Sequence, residues 1–275
     1  MTFDVGGRPR TVVVHLPAGY RPSSPTPLVL NMHGSGGTAA QQEMLSGMDG
    51  TADGQGFIVA YPQAAIPAGG GFDWNVPNVP LLGGEKPPAD APNDVDFLIH
   101  LVSDMADTFC VDTHRVFATG LSGGGRMASQ LACDASGVVA AVAPVAGLRF
   151  PDPCPVSRAV PVVAFHGTAD PIDPYQGNGQ AYWTYSVPTA AENWARLDHC
   201  SATPVSTSGV GYTLSEYKGC SGKATVRLYS LTGAGHEWPG GPQLPTAITK
   251  VLGPQSDAVS ANSTMWAFFA AHPLP

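Results

Sequence analysis

Residues 116–127 of the chain have the sequence VFATGLSGGGRM, in which an apolar run ends in Gly-x-Ser-x-Gly and a helix-like segment follows. This order predicts a buried strand that turns sharply into a helix. The turn forces its middle residue into a strained backbone conformation, and the small neighbours Gly120 and Gly124 let the two backbones pass closely. Ser122 would then stand above the sheet at the positive end of the helix. Glycine-rich turns also produce the motif by chance, so the rest of the chain has to support a nucleophilic serine here.

Strand-like and helix-like segments alternate along the rest of the chain. Apolar or β-branched runs end at polar, Gly-rich or Pro-rich turns, and residues 95–109 have apolar side chains at the spacings of three and four that predict a helix. We find no internal repeat and no linker between two cores. The alternation predicts an α/β fold, with a mostly parallel sheet and helices on both faces. We expect one domain over residues 1–275, with strands at 11–16, 28–32, 57–62, 116–121, 139–145, 160–165 and 225–231, and helices at 39–52, 95–109, 188–197 and 262–271.

The composition limits the classes of partner. The 275 residues include 33 Gly and 27 Pro, only 12% of them are charged, and the net charge is −8. These values indicate a loop-rich globular protein and argue against nucleic acid or an anionic membrane surface as a partner. No apolar run approaches the roughly 20 residues of a membrane span. We also find no signal-peptide pattern before the first strand, although a mature secreted chain would begin in the same way.

Five cysteines bear on the cellular compartment. None of them forms a Cys-x-x-Cys motif and no His lies at metal-ligand spacing, so we expect no metal and no cofactor. Cys200 and Cys220 bracket a polar loop and are expected to form a disulfide, while Cys110, Cys133 and Cys154 allow one further pair. Five free thiols in a cytosolic enzyme are the alternative. The low charge and the bracketed loop favour a secreted protein.

Two more polar residues follow predicted strands. Asp170 lies in the segment HGTADP after the strand at 160–165, and His236 lies in GHEWP after the strand at 225–231. The order Ser122, Asp170, His236 is the order of an α/β hydrolase, and the carboxyl ends of parallel strands lie at one edge of the sheet. His236 would take the serine proton, and Asp170 would fix the tautomer of the imidazole. We therefore predict a Ser-His-Asp triad that acts through an acyl-enzyme.

A glycine-rich loop at residues 33–37 follows the strand at 28–32. Without bulky side chains, its backbone N–H groups can approach a ligand closely. We expect the N–H groups of Ser35 and Gly123 to form an oxyanion hole. A flexible turn is the alternative interpretation of this loop.

Several neighbouring residues offer alternative assignments. Asp173 could be the acid, although it lies three residues farther from the strand end. His33 and His166 are expected to hydrogen-bond within loops. Glu237 is expected to be exposed or to support the triad histidine, and Arg126 to lie at the surface or in an ion pair rather than to clamp substrate.

Two tryptophans and one aromatic stretch are candidates for substrate contact. Trp74 lies in the long Gly/Pro-rich segment 64–93, and Trp238 follows the predicted triad histidine by two residues. We expect both rings to face the cleft, with core packing as the alternative for Trp74. The stretch 175–185 holds three tyrosines and a tryptophan and would shape the acyl and leaving-group sides.

Seven segments carry a family pattern when they are taken together and in order: 27–34 (PLVLNMHG), 56–62 (GFIVAYP), 94–97 (DVDF), 111–124 (VDTHRVFATGLSGG), 141–147 (AVAPVAG), 166–171 (HGTADP) and 235–240 (GHEWPG). They resemble the polyhydroxybutyrate depolymerase-like esterases, which are close to the feruloyl and acetyl-xylan esterases of carbohydrate esterase family 1. The resemblance covers nearly the whole chain. It implies one α/β-hydrolase domain, usually secreted, with Ser122, Asp170 and His236 as its triad.

Three residues depart from the family pattern: Gly123 stands where Asn is frequent, Arg126 where Met is frequent, and Glu237 where Thr is frequent. The triad is intact, but these changes leave the substrate pocket open. We expect a feruloyl (hydroxycinnamoyl) esterase acting on plant cell-wall polysaccharide esters, with a polyhydroxybutyrate or other polyester depolymerase and an acetyl xylan esterase as alternatives. A non-catalytic binding protein would usually lack a triad member, and a peptidase would normally carry a further domain that restricts access.

Overall fold

The computed structural model describes residues 1–5, 7–81 and 83–275. In this part of the chain, a ten-stranded sheet and a separate two-stranded hairpin are present. Their strands are β1 (Thr2–Val5), β2 (Arg8–His15), β3 (Thr26–Met32), β4 (Ile58–Pro62), β5 (Ile66–Ala68), β6 (Gly71–Asp73), β7 (Val111–Leu121), β8 (Ala141–Val145), β9 (Val162–Gly167), β10 (Val205–Gly209), β11 (Tyr212–Tyr217) and β12 (Val226–Leu231).

The strand order of the large sheet is β1-β2-β4-β3-β7-β8-β9-β12-β11-β10. All pairs between β4 and β12 in this order are parallel, and the outer pairs on both edges are antiparallel. Every residue of β3, β4, β8 and β9 is buried. Near-continuous apolar runs are typical of parallel strands that are covered on both faces. The predicted α/β class is confirmed.

The helices are α1 (Ala39–Ser46), α2 (Met48–Gln55), α3 (Asp94–Phe109), α4 (Gly123–Asp134), α5 (Val187–Leu197), α6 (Thr246–Leu252) and α7 (Ala261–Ala270), with a short 3₁₀ turn at Ser221–Lys223. Neighbouring side chains of β3 point to opposite faces of the sheet. Leu28 and Leu30 belong to a core that contains α3, α4 and α5. Val29 belongs to a second core that contains α1, α2 and α7. Helices therefore cover both faces, as expected.

Some elements differ from the sequence expectation. The helix expected at 39–52 is two helices, because Gly47 has a φ of 53° and ends α1 in the left-handed region. The hairpin of β10 and β11 was not predicted. Every residue of β10 is exposed, so its sequence carries no apolar alternation to identify it.

Disulfides join Cys200 to Cys220, as predicted, and Cys133 to Cys154. Cys110 is a free, half-buried thiol. The second bridge ties the end of α4 to the segment after β8. Across the described residues, we find no helix with the length and apolar character needed to cross a membrane.

Candidate active site

Ser122 occupies a strained turn between β7 and α4. Its φ of 55° and ψ of −115° lie in a region that L-residues rarely adopt. A side chain at either Gly120 or Gly124 would collide with the carbonyl oxygen of Met32 on the neighbouring strand. The glycines therefore permit the close crossing of strand and helix that holds Ser122 in this conformation, as the sequence motif predicts.

The two other residues of the predicted triad are hydrogen-bonded to each other. His236 Nδ1 lies 2.8 Å from Asp170 Oδ2, and both side chains are buried. Asp170 Oδ1 accepts hydrogen bonds from the backbone N–H groups of Ile172 at 2.8 Å and Asp173 at 2.9 Å. Burial raises the pKa of Asp170, but hydrogen bonds with His166 and His236 outweigh it and hold that pKa well below its ordinary value. Asp170 is therefore an anion that can orient an imidazole.

Ser122, Asp170 and His236 follow β7, β9 and β12, which lie in this order in the sheet with β8 between the first two. The hydroxyl of Ser122 makes no hydrogen bond to the His236 ring within the described residues. The backbone of His236 is tied to the carbonyl of Leu252 at 2.6 Å. The structure thus pairs the acid with the histidine, and the approach of the histidine to the serine stays a prediction. Such bonds are often long in ligand-free enzymes and tighten when substrate binds.

The predicted oxyanion-hole residues lie against each other. A Cβ on Gly123 would lie 3.0 Å from the backbone nitrogen of Ser35 and 2.6 Å from its hydroxyl oxygen. Neither backbone N–H has an acceptor in the described part of the chain. Two adjacent free donors next to a candidate nucleophile are the arrangement that stabilises a tetrahedral oxyanion. Their use in catalysis stays a prediction.

His33 supports this loop as a neutral side chain. Its Nε2 accepts hydrogen bonds from the backbone N–H of Ala64 at 3.1 Å and from the amide of Gln63 at 2.9 Å, so its Nδ1–H donates to the carbonyl of Gly34 at 2.8 Å. Burial lowers the pKa of His33 to about 4. The indole N–H of Trp74 donates to the carbonyl of His33 at 2.8 Å. As expected, His33 hydrogen-bonds within its own loop.

The hairpin of β5 and β6 fixes the far end of the same loop. The N–H of Gly36 donates to the carbonyl of Phe72 and to the carboxylate of Asp73, both at 3.0 Å, and the N–H of Phe72 donates back to Gly37 at 3.0 Å. The start of the long Gly/Pro-rich segment is therefore a clamp on the oxyanion loop. Apart from the length of the segment, no pattern in the sequence predicts this contact.

Trp74 and Trp238 are buried, with exposed fractions of 3% and 1%. Each indole N–H is used inside the protein, that of Trp74 by His33 and that of Trp238 by the amide oxygen of Asn262 at 2.8 Å. The structure differs here from the expectation that both rings face the cleft, because core packing and these hydrogen bonds hold them inside. Contact of either ring with substrate stays a prediction that the buried positions do not favour.

Arg126 and Asp173 form a buried ion pair. Nη2 of Arg126 lies 2.5 Å from both carboxylate oxygens of Asp173, and the two side chains are 8% and 0% exposed. The ion-pair interpretation of Arg126 is therefore correct and the surface interpretation is wrong. Asp170, and not Asp173, contacts the histidine, and the carboxylate of Asp173 is bound by Arg126. Nε2 of His166 lies 2.8 Å from the carbonyl of Asp173 and 3.3 Å from Asp170 Oδ2, so His166 also bonds within this loop.

Glu237 is buried rather than exposed. Neither oxygen of its side chain has a hydrogen bond of normal geometry within the described residues, and the backbone of Ser256 makes only a weaker polar contact with the carboxyl group. Burial raises the pKa of Glu237 to about 8. The carboxyl group is therefore mostly protonated at neutral pH, directly after the candidate catalytic histidine.

A cavity of about 190 Å³ lies between the segment after β8 and the segment before α5. A Cβ on Gly147 would meet the carbonyl of Ser122, and Leu148, the next residue, lines the cavity. On the other side, the ring centroid of Tyr182 is 5.4 Å from Cζ of Arg126. The cavity is lined by Leu148, Arg149, Phe150, Asp152, Ala181, Tyr182, Trp183, Thr184 and Tyr185. Over residues 1–5, 7–81 and 83–275, no group of three or more His, Cys, Asp or Glu side chains is arranged to hold a metal ion.

No protein-family model matches the chain. Esterase NocK of Nocardia uniformis subsp. tsuyamanensis is 32% identical over 262 residues, which cover 86% of this chain and 73% of that protein. The chain belongs to the family of feruloyl and polyhydroxybutyrate depolymerase-like esterases. A second member of this esterase family, feruloyl esterase B of Piromyces equi, is 29% identical over 238 residues, which cover 82% of this chain and 42% of that protein. Poly(3-hydroxyalkanoate) depolymerase C of Paucimonas lemoignei is 25% identical over 82% of this chain and 58% of that protein.

Solved esterase structures have the same fold as this family member. The acetyl xylan esterase from Aspergillus awamori superposes with a TM-score of 0.58 at 17% identity, over 82% of this chain and 88% of that one. A thermophilic esterase from Thermogutta terrifontis gives a TM-score of 0.60 at 15% identity, over 98% of this chain and 92% of that one. At these identities the matches establish the α/β-hydrolase fold alone.

Proposed function

We propose that this chain is a serine carboxylic ester hydrolase with Ser122 as nucleophile, His236 as general base and Asp170 as the orienting acid. The observation that carries the proposal is the strained backbone of Ser122 at the end of β7, at the same sheet edge as a buried His236–Asp170 hydrogen bond. A serine hydroxyl needs such a base to become a nucleophile at neutral pH. The family relationship to esterases supports the same reaction class.

In the proposed reaction, Ser122 Oγ attacks the ester carbonyl while its proton passes to His236 Nε2. The resulting oxyanion accepts hydrogen bonds from the N–H groups of Ser35 and Gly123. The C–O bond to the alcohol then breaks, and His236 returns the proton to the leaving alcohol. Water, activated by the same imidazole, hydrolyses the acyl-enzyme and releases the carboxylic acid. We propose that one α/β-hydrolase domain over residues 1–275 performs all these steps.

We propose hydroxycinnamoyl esters of plant cell-wall polysaccharides as the preferred substrates. Feruloyl esterase B of Piromyces equi supports this class, and the aromatic side chains that line the cavity between the segments after β8 and before α5 can contact a flat aryl acyl group. A polyester depolymerase is the second candidate, because the poly(3-hydroxyalkanoate) depolymerase of Paucimonas lemoignei is also a relative. An acetyl xylan esterase is the third, and it takes a smaller acyl group that leaves such a cavity empty.

The reaction class is tested by a pre-steady-state burst. We expect p-nitrophenyl acetate to release p-nitrophenol in a burst close to one equivalent of enzyme, because an acyl-enzyme accumulates. Ser122→Ala should abolish both the burst and the turnover while the far-UV circular dichroism spectrum is retained. Steady turnover that survives in Ser122→Ala would contradict the proposal.

The substrate class is tested by a panel of methyl ferulate, acetylated xylan and a 3-hydroxybutyrate oligomer, compared by kcat/KM in one buffer. We expect methyl ferulate to be hydrolysed with the highest kcat/KM. A higher value for the oligomer or for acetylated xylan would replace the feruloyl assignment by the corresponding alternative. Tyr182→Ala, in the cavity lining, should raise KM for methyl ferulate more than KM for p-nitrophenyl acetate.

We also propose an extracellular location. The Cys133–Cys154 and Cys200–Cys220 bridges support it, because disulfides persist in oxidising compartments. Detection of the esterase activity in culture medium, with the two bridges identified by mass spectrometry of non-reduced peptides, tests the location. Free thiols at all five cysteines in the native protein would contradict it.

A further inference from the structure

The turn that carries Asp170 is held unevenly at its two ends. Before Asp170, the N–H groups of Thr168 and Ala169 donate to the carbonyls of Leu231 and Ala234 at 2.9 Å, which ties the turn to the histidine loop. After Asp170, the chain passes through exposed Pro171 and Ile172, and Ile172 is 37% exposed. These two residues therefore leave part of their surface exposed in the second half of the turn. The next buried residue is Asp173.

Asp173 anchors the second half through three different groups. Its N–H donates to Asp170 Oδ1 at 2.9 Å, its carbonyl accepts from His166 Nε2 at 2.8 Å, and its carboxylate is bound by Arg126. Arg126 lies on α4, and its own N–H donates to the carbonyl of Ser122 at 2.9 Å. One side chain therefore connects the helix of the nucleophile to the turn of the acid.

A contribution to stability does not by itself explain this ion pair. Both groups are buried, and Nε of Arg126 has no hydrogen-bond partner in the described part of the chain. A buried pair must offset a large desolvation penalty, and apolar side chains of similar volume are often as stable or more stable. The geometry it imposes on the acid turn gives the pair a function that apolar packing would not supply.

We infer that Arg126 and Asp173 are positioning residues: their ion pair fixes the turn at residues 170–173 so that its backbone N–H groups hold Asp170 in line with His236. The inference rests on the proposed function. The pair also balances its own charge beside the triad. Removing one partner therefore changes the electrostatic potential at the imidazole as well as the geometry. Other charged or titratable groups around this network are Asp170, His166 and Tyr175 on the acid side, Arg149 and Tyr182 beside Arg126, and Glu237 and Asp257 after His236.

The test uses Arg126→Met, Asp173→Asn and the double variant on p-nitrophenyl acetate. In Arg126→Met the acid turn loses its anchor, and we expect kcat to fall about 10- to 100-fold with KM changed less than about threefold, because a misplaced acid impairs proton transfer and not binding. In the double variant we expect no further fall in kcat, because both changes remove the same interaction. Additive losses would show that the two side chains act independently, and would overturn the inference.

The pH profile separates positioning from a general loss of structure. The acidic limb of kcat/KM reports protonation of the catalytic base. Asp173→Asn keeps the shape of the side chain and leaves the Arg126 cation unbalanced, which disfavours an imidazolium nearby. We expect this limb to move to lower pH by roughly half to one pH unit, and to return towards the wild-type position in the double variant. An unmoved limb in Asp173→Asn would overturn the inference.

Arg10 and Asp94 provide a matched control. They form another buried ion pair at 2.7 Å, with side chains 6% and 0% exposed. Arg10 lies on β2, six strands from β12 in the sheet, or roughly 29 Å at the usual strand spacing. Arg10→Met should lower the thermal midpoint but leave the acidic limb in place. Absence of Ser122-dependent activity in the wild-type chain would contradict the proposed function. If the wild type is active and Arg126→Met and Asp173→Asn only lower the thermal midpoint and leave the acidic limb in place, as in Arg10→Met, the inference alone would be contradicted.

Discussion

The two sides of the candidate site are held by different kinds of interaction. On the oxyanion side, mostly neutral groups hold the loop: His33 is uncharged, indole and backbone N–H groups bind its carbonyl and its ring, and the carboxylate of Asp73 is an acidic partner. On the acid side, charged groups hold the turn: Asp170 and Asp173 are buried with Arg126 and His236 around them. The oxyanion side offers backbone to the substrate, whereas the acid side acts through side chains. Substitutions and pH should therefore affect the two sides differently.

Two buried groups near the site, one on the oxyanion side and one next to the triad histidine, respond to pH in opposite directions. The pKa of His33 is lowered from 6.5 to about 4, so the fold favours its neutral form, and the stability this contributes is complete above pH 6.5 and is lost as pH falls towards 4. The pKa of Glu237 is raised from 4.5 to about 8, so the fold favours its protonated form. That contribution is complete below pH 4.5 and is lost as pH rises towards 8.

The largest expected effect tests the dependence of the acid side on a side-chain charge. Asp170→Asn retains the shape of the side chain but removes the anion that selects the imidazole tautomer, and we expect kcat to fall by about 10⁴-fold. Steady-state kinetics on p-nitrophenyl acetate measures it, with circular dichroism as the control for folding. A loss below about tenfold would show that another carboxylate, such as Asp173, takes over the role.

The second effect tests the pH response of Glu237, the residue after the candidate catalytic histidine. Glu237→Gln replaces a buried carboxyl group by a neutral amide of the same size. Between pH 5 and pH 8 the wild type should lose about 3 kcal/mol of unfolding free energy through this group, and the variant should not lose it. Urea unfolding at both pH values measures the difference. Equal pH dependence in the two proteins would contradict the burial-raised pKa of Glu237.

The third effect tests the neutral hydrogen bonds of the oxyanion side. Trp74→Phe keeps an aromatic ring but leaves the carbonyl of His33 without its indole donor. We expect kcat to fall about tenfold, since an unpaired buried carbonyl costs about 1–3 kcal/mol and the loop can shift to relieve it. The acidic limb of kcat/KM should stay in place, because no charge changes.

Trp194→Phe is the control for this variant. The indole of Trp194 is fully buried and donates to a loop carbonyl, that of Arg149, at the same 2.8 Å. We expect a similar loss of unfolding free energy and a kcat on p-nitrophenyl acetate within about threefold of the wild type. Equal losses of kcat in both variants would remove the special role of Trp74 in the oxyanion loop.

The smallest effect tests whether the oxyanion side acts through its backbone. Ser35→Ala removes the hydroxyl but retains the N–H, so we expect kcat/KM to change less than about twofold. Ser35→Pro, which removes the N–H, should cost much more, because losing one oxyanion donor costs about 2.7–4 kcal/mol of barrier. A large loss in Ser35→Ala would assign a catalytic role to the hydroxyl and make the two sides more alike.

The sequence predicts the central part of the fold well for a physical reason. Strands such as β3 and β9 are buried on both faces, so their apolar runs can be identified without knowledge of the partners. The polar edge strand β10 has no such pattern, because only its pairing with β11 makes it a strand. Gly47 splits a predicted helix because it has a positive φ. Glycine permits this conformation but does not require it, so the local sequence alone does not predict the break.

The same distinction applies to the site. The residues at strand ends were predicted because their positions follow from the strand pattern, and the His236–Asp170 contact agrees with it. The ion pair of Arg126 with Asp173 joins residues 47 positions apart, and the indole of Trp74 reaches a carbonyl 41 positions earlier. No spacing rule indicates which buried group such a side chain will meet. For that reason, the sequence alone predicts neither the partner of Arg126 nor the partner of the Trp74 indole.

The odd number of cysteines has a practical consequence for preparing the protein. Cys110 lies at the C-cap of α3, outside both bridges. During oxidative refolding, every choice of unpaired thiol leaves four cysteines that can connect in three ways, so wrongly linked species compete with the native one. A Cys110→Ser chain keeps both native bridges and removes the surplus thiol, which makes it the better starting material for producing homogeneous enzyme from a denatured sample.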